Sequence, residues 1–217
     1  MEKPVVPVPY LPGVEALSVA DIGRYMELRC AKHLLSCVNW PQVAVYQPLV
    51  AFIVAHSRQS LLVHFMVRGE DLRAVNTAPL SPVADDSCVE VFLQVPGNDE
   101  YWNFEFNCIG TVNASHRVAR PNPVRLTAEQ ISSIGIAGSC GKEPFDEVDG
   151  LHTWTLTVRL PFTLIGLDQK KLPDNLLGNF YKCAGKTRHR HYLSWAPIHT
   201  DTPDFHRPDD FGILSLF

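Results

Sequence analysis

The sequence predicts an all-β fold: an antiparallel two-sheet, jelly-roll-like β-sandwich preceded by a short N-terminal helix. Three observations carry this. Short runs in which apolar and polar residues alternate recur from Val43 to the end of the chain, the period-2 signature of half-buried strands. Clusters of turn-forming residues separate them, and seventeen prolines punctuate the joints. A helical start signal stands at Ser18, ahead of the strand-like runs.

Residues 1–14 form an extended, proline-punctuated arm. Ser18 to His33 follows as a helix, with Ser18-x-x-Asp21 resembling a capping box, and its expected role is to cover one end of the sandwich. Val50–His56 and Leu61–Arg68 flank the turn residues Ser57-Arg-Gln-Ser60 and make an adjacent pair of strands. Cys88–Val95 and Tyr101–Cys108 flank Pro96-Gly-Asn-Asp99 and make a hairpin. Later strands are Thr153–Leu160, Asn179–Cys183, Tyr192–Trp195 and Gly212–Phe217. No repeat or linker divides the chain, so residues 1–217 read as one domain, with the arm and helix in 1–42 and the sandwich in 43–217.

Successive strand side chains point to opposite faces. Val63, Phe65, Val89, Val91, Leu93, Phe104 and Phe106 are therefore expected between the sheets, with Trp102 and Cys108 on the same face as the two phenylalanines. If the three strands 61–68, 88–95 and 101–108 share a sheet, the other face gathers Arg68, His64, Glu90, Asn103, Glu105 and Asn107, interleaved with Phe92, Met66 and Tyr101. A plain solvated face is one reading. Planar amides, carboxylates and aromatics instead suit sugar hydroxyls and C–H faces, and predict a ligand groove.

Composition narrows the function. Hydrophobic residues make up 46% and charged residues 19%, with a net charge of −4 and a pI near 6.1, which gives no basic footprint for nucleic acid. No apolar run reaches the roughly 18 residues of a membrane-spanning helix, and the N-terminus lacks the apolar core of a signal peptide, so a cytoplasmic or processed protein is expected. The six cysteines form no CxxC pair. Cys30 and Cys37 stand two helical turns apart, about 10.5 Å, too far for a disulfide; all six are expected as thiols.

Asp86-Ser-Cys-Val-Glu-Val-Phe-Leu93, Tyr101-Trp-Asn-Phe-Glu-Phe-Asn107 and Gly110 resemble the central hairpin of carbohydrate-binding module family 9-like proteins. The likeness continues through Trp154, Leu160-Pro161-Phe162, Gly178-Asn-Phe-Tyr-Lys-Cys183, His191-Tyr-Leu-Ser-Trp195, Pro203-Asp-Phe-His-Arg-Pro208 and Phe211-Gly212-Ile-Leu. The resemblance implies a sandwich that binds a mono- or oligosaccharide without cutting it, linked to polysaccharide breakdown, with no nucleic-acid or membrane partner. Sugar-binding members hold a terminal sugar between two tryptophans. The likeness points to Trp195 for one, and to Tyr101 for the other because Trp102 alternates onto the core face. The expected ligand residues are Arg68, Glu90, Tyr101, Asn103, Glu105, Asn107, His191 and Trp195.

Family 9 modules carry structural calcium, which directs attention to His199–His206 with Asp209 and Asp210, or to Asp85 and Asp86; tight loops also need Asp, Thr and Pro. His189-Arg-His191 offers a metal-ligating pair or a solvated loop. Two other functions compete. Glu90 and Glu105 on adjacent strands suit the paired carboxyls of a glycoside hydrolase, although an open face beside Arg68 would keep them ionised. Met66, His64 and His191 suggest a haem-binding sandwich of the DOMON type.

Overall fold

The computed structural model describes residues 2–217. Fourteen strands run in chain order: β1 (Val5–Val8), β2 (His33–Leu34), β3 (Cys37–Val38), β4 (Leu49–His56), β5 (Ser60–Ala74), β6 (Cys88–Gln94), β7 (Tyr101–Asn107), β8 (Val112–Arg117), β9 (Val124–Arg125), β10 (Gly135–Gly138), β11 (Phe145–Pro161), β12 (Asn175–Ala184), β13 (His191–Ser194) and β14 (Gly212–Leu216). They form two sheets. The larger, of nine strands, runs β1-β14-β12-β6-β7-β8-β9, with β13 and β3 attached through β12; the smaller, of five, runs β10-β11-β5-β4-β2. Every pairing between strands is antiparallel except that of β1 with β14.

The expected inner residues pack as expected. Val63, Phe65, Val89, Val91, Leu93, Phe104 and Phe106 are buried in one continuous core between the sheets, joined by Phe52, Leu156, Val158 and Phe180. Phe52 stacks on Phe180 across the layers with ring centroids 4.2 Å apart. Full burial of such side chains supplies most of the stabilisation, about 1.5–3 kcal/mol each.

Two expectations are corrected. β5 does not join β6 and β7; it pairs with β4 and β11 in the other sheet. Alternation fixes which face a side chain takes but not which strand lies alongside. The extended arm contributes β1, which is hydrogen-bonded to β14 within the large sheet. The helix, α1 (Val19–Arg29), does begin at the Ser18 cap, whose side chain accepts a hydrogen bond from the Asp21 N–H. It lies on the outer face of the small sheet rather than over an end. Ile22 and Met26 pack there against Ile53, Ala55 and Leu62. Gly23 allows the close approach: a Cβ there would collide with Thr157 and His64.

Candidate functional site

The outer face of the large sheet is built as rows across its strands. Register places Ser194, Tyr181, Glu90, Glu105 and Asn113 side by side in one row, and Tyr192, Cys183, Cys88 and Asn107 in the next. A third row holds Asn179, Phe92, Asn103 and Ser115. The strand pleat alone thus brings two glutamates and two cysteines together from residues spread over almost a hundred positions.

This face is not solvated. The segment from Ala196 to Phe211 folds back across it. Asp210 fastens the base of that segment, accepting from the His199 backbone N–H at 3.1 Å and lying 2.8 Å from His199 Nδ1. Trp40 donates its indole N–H to the Thr200 carbonyl at 2.8 Å. Phe205 stacks on Tyr181 at 4.2 Å with the rings 14° apart. The Tyr101 hydroxyl is hydrogen-bonded to His206 Nδ1 at 3.0 Å, and Arg120 reaches Asp204 at 3.3 Å. Phe211 is buried against Phe92 and Tyr101.

Between sheet and cover a cavity of about 240 Å³ remains. Glu90, Glu105 and Cys183 form its floor; Tyr192, Phe205, His206, Asp204 and Arg120 stand around it. Its volume falls just under the roughly 300–1,000 Å³ typical of drug-sized ligands, which suits a single small ring.

The electrostatics follow from burial. Glu90 is pushed well above the ordinary carboxylate range, first by desolvation and then by Cys183 and Glu105 beside it. Burial also raises Glu105, opposed by hydrogen bonds that Asn113 and Asn103 donate to its carboxylate oxygens at 2.9 and 2.8 Å. His206 is driven down to about 3 by burial and by Arg117 and Arg120. The imidazole is therefore neutral beside Tyr101, whose own hydroxyl is raised to about 12 by burial. The expectation that an open face would leave the two glutamates ionised is overturned: the face is covered, and Arg68 is on the other sheet.

The expected ligand residues divide accordingly. Glu90 and Glu105 line the cavity, and Tyr101 supports its wall through His206. Asn103 and Asn107 are buried and spent on protein partners. Asn103 donates to Glu105 and accepts from Ser115 at 2.7 Å. Asn107 donates to the Asn76 carbonyl at 2.8 Å and to Asp86 at 3.0 Å, and accepts from the Thr111 N–H at 2.9 Å. Arg68 is exposed on the small sheet, opposite Leu49 and Thr153. His191 faces inward at the sandwich edge beside Lys182 and Trp154, with Nδ1 2.7 Å from the His189 carbonyl. Trp195 is half-buried against the core: its ring packs edge-on to Phe52 and Phe180 and lies over Gly212, where a Cβ would strike it. Phe205, Tyr192 and His206 were missed. Phe205-His206 sits in a segment of Asp, Thr and Pro whose composition signals a loop, and nothing in its pattern signals that the loop folds inward.

The calcium candidates do not fit that ion, which takes six to eight oxygens. Asp86 is surrounded by donors: the N–H groups of Val75 and Asn76, the Asn107 amide and Arg73. Asp85 pairs with Lys186 at 2.9 Å, and Asp210 holds His199. The haem pairing also fails on geometry. His64 lies under α1, with Nδ1 2.9 Å from the Thr157 hydroxyl and Nε2 3.4 Å from Glu27, while His191 belongs to the other sheet.

The sequence model of carbohydrate-binding family 9 matches residues 23–216. The chain belongs to carbohydrate-binding family 9. Among solved structures, a candidate carbohydrate-binding protein from Bacteroides uniformis ATCC 8492 is 29% identical with a TM-score of 0.93, each chain covering 100% of the other. Two structures of a family 9 module from Caldicellulosiruptor kristjanssonii share the fold at lower identity. The one in complex with cellotriose is 13% identical with a TM-score of 0.61, matching 98% of this chain and 93% of that one. The one with glucose is 14% identical with a TM-score of 0.60, matching 99% and 96%. Comparison with curated proteins finds no match. Among the described residues, no helix of this family 9 chain is long and apolar enough to cross a membrane.

Proposed function

We propose that this family 9 chain binds one ring of a mono- or oligosaccharide in the cavity under the 196–211 segment, and that cleavage of the glycan belongs to another protein. The observation that carries the reading is the facing pair Glu90 and Glu105 at the floor of a 240 Å³ cavity walled by Phe205 and Tyr192. Carboxyls held toward their neutral form both donate and accept, which matches the dual character of sugar hydroxyls. The aromatic rings offer apolar surface to the C–H faces of the sugar. The ligands printed for the Caldicellulosiruptor modules, glucose and cellotriose, are natural first probes.

Titration calorimetry with a panel of monosaccharides and short oligosaccharides tests this. A ligand of the panel is expected to bind the native chain, and Phe205→Ala is expected to weaken it tenfold or more, the effect of removing an aromatic anchor. Unchanged affinity in that variant sinks the assignment of the cavity. The two buried carboxyls with raised pKa also support a second reading, a glycoside hydrolase in which one protonated carboxyl acts as general acid. Release of reducing ends that disappears in Glu90→Gln and Glu105→Gln would select that reading over binding alone.

A further inference from the structure

On the same face, two cysteines join Glu90 in a group of potential metal ligands. Cys88 and Cys183 are register partners on β6 and β12, and Glu90 lies one pleat further along β6. The two sulfurs and a Glu90 carboxylate oxygen all lie within 4.8 Å of one another. All three residues are at least 97% buried, at 0%, 1% and 3% exposure. The Cys183 thiol donates to Glu90 Oε1 at 3.0 Å, and the Cys88 sulfur is 4.0 Å from the same oxygen. The other partners of these thiols, the carbonyls of Ala84 and Val89, are at 3.7 Å. A buried carboxyl oxygen is thus met by thiols, which are weak donors.

We propose that Cys88, Cys183 and Glu90 bind a borderline-soft divalent cation, zinc being the best fit, with the remaining coordination position facing the cavity. Tetrahedral zinc, with bonds of about 2.3 Å to sulfur and about 2.1 Å to oxygen, sets sulfur and oxygen ligands roughly 3.6 Å apart. The two sulfur–oxygen separations here, 3.0 and 4.0 Å, bracket that distance, so coordination needs shifts of about half an ångström. Thiolates select zinc over the oxygen-loving magnesium and calcium. As the ion binds, the two thiol protons and the proton of the Glu90 carboxyl leave to solvent, and no redox partner is required. Three anionic ligands around a divalent ion leave one net negative charge. Lys182, buried on the inner side of β12 with its ammonium 2.7 Å from the Cys183 carbonyl, places a positive charge next to it. Glu90 and Cys183 also line the cavity, which gives the ion an entry path and leaves the fourth position to water or a ligand oxygen. The site shares Glu90 and Cys183 with the cavity, but its two sulfur ligands are not called on by the sugar reading, so metal binding is read out independently of sugar affinity.

The test is a titration of cobalt(II), a spectroscopic stand-in for zinc, into reduced, chelator-treated protein. One equivalent is expected to produce sulfur-to-cobalt charge-transfer absorption, and zinc should bleach it. Cys183→Ser should abolish the signal and Glu90→Gln should weaken cobalt binding at least tenfold. The double variant Cys108→Ser/Cys140→Ser, which removes a separate pair of thiols that neighbour one another, should leave it intact. Because a buried cysteine variant can fail to fold, X-ray absorption on the zinc-loaded native chain provides an independent measure, with two sulfur neighbours expected. A zinc shell of nitrogen and oxygen alone, or a cobalt signal that survives Cys183→Ser and vanishes in the double variant, overturns the proposal. So does the absence of thiolate absorption in protein whose six thiols titrate as free.

Discussion

Asn107 is where ligand contact and internal scaffolding make opposite forecasts. Its amide nitrogen bonds both the Asn76 carbonyl and the Asp86 carboxylate, and its amide oxygen holds the Thr111 N–H. It therefore pins the approach to β6 and the turn after β7 to one another. Asn107→Ala removes all three bonds and leaves Asp86, which is wholly buried, short of one donor. A neutral hydrogen bond is worth about 0.5–1.5 kcal/mol and one to a charged group about 1.5–3. Allowing for partial relaxation, the loss comes to roughly 3–4 kcal/mol. In a domain of this size that lowers Tm by roughly 10 °C, at about 2–4 °C per kcal/mol. Urea denaturation should show a lower midpoint with an unchanged slope, the signature of lost stability without a changed denatured state. Sugar titration at a temperature where the variant stays folded should give near-native affinity. The reverse pattern, native stability with sugar affinity lost, would refute the scaffolding role and return Asn107 to the ligand.

Other outcomes follow from the same geometry. Trp195→Ala should cost roughly 3 kcal/mol in chemical denaturation, toward the low end for a large aromatic truncation, and leave sugar affinity unchanged, because its ring packs on Phe52, Phe180 and Gly212; selective loss of binding would contradict a purely packing role. Lys182→Met should raise stability at neutral pH by about 1–3 kcal/mol, since burial costs the ammonium more than its single carbonyl bond returns. The folded state holds this amine at about 8 against an ordinary 10.5, so it loses the proton before the unfolded chain does. Native stability relative to the variant should therefore climb between pH 8 and 10.5, and a flat difference across that window would argue that the amine is not desolvated. His206, at about 3 against 6.5, stabilises the fold above 6.5, and that contribution fades as pH falls toward 3, by up to about 1.4 kcal/mol per unit. Denaturation midpoints measured from pH 7 to 4 should drop less steeply in His206→Gln.

The central hairpin was legible from residue order because alternation over β6 and β7 is unbroken and Pro96-Gly-Asn-Asp99 sits between the strands. The inner residues followed from it. What stayed hidden is lateral: the parity of β5 is the same whether it pairs with β6 or with β4 and β11, so Arg68 was assigned to the wrong sheet. Asn103 and Asn107 are ambiguous by nature, since an amide that suits a sugar hydroxyl also suits a buried network. Lys182 breaks the binary pattern outright by taking the inner side of β12 opposite Val89. The cover from Ala196 to Phe211 is polar enough to read as surface. Only its contacts with Tyr181 and Tyr101 reveal that Phe205 and His206 face the sheet.

The division of labour between the hairpin floor and that distant cover has a consequence for synthesis. β6 and β7 pair locally and can form soon after residue 107 emerges. The residues that shield Phe92 and Tyr101 follow about a hundred positions later. Closing so long a loop is entropically slow, and until it closes the nascent chain carries an uncovered aromatic surface flanked by unpaired strand edges. Such a state is prone to self-association. A chain truncated before Ala196 should be held in it permanently, and should bind hydrophobic dyes and chaperones that a chain carrying residues 196–211 escapes.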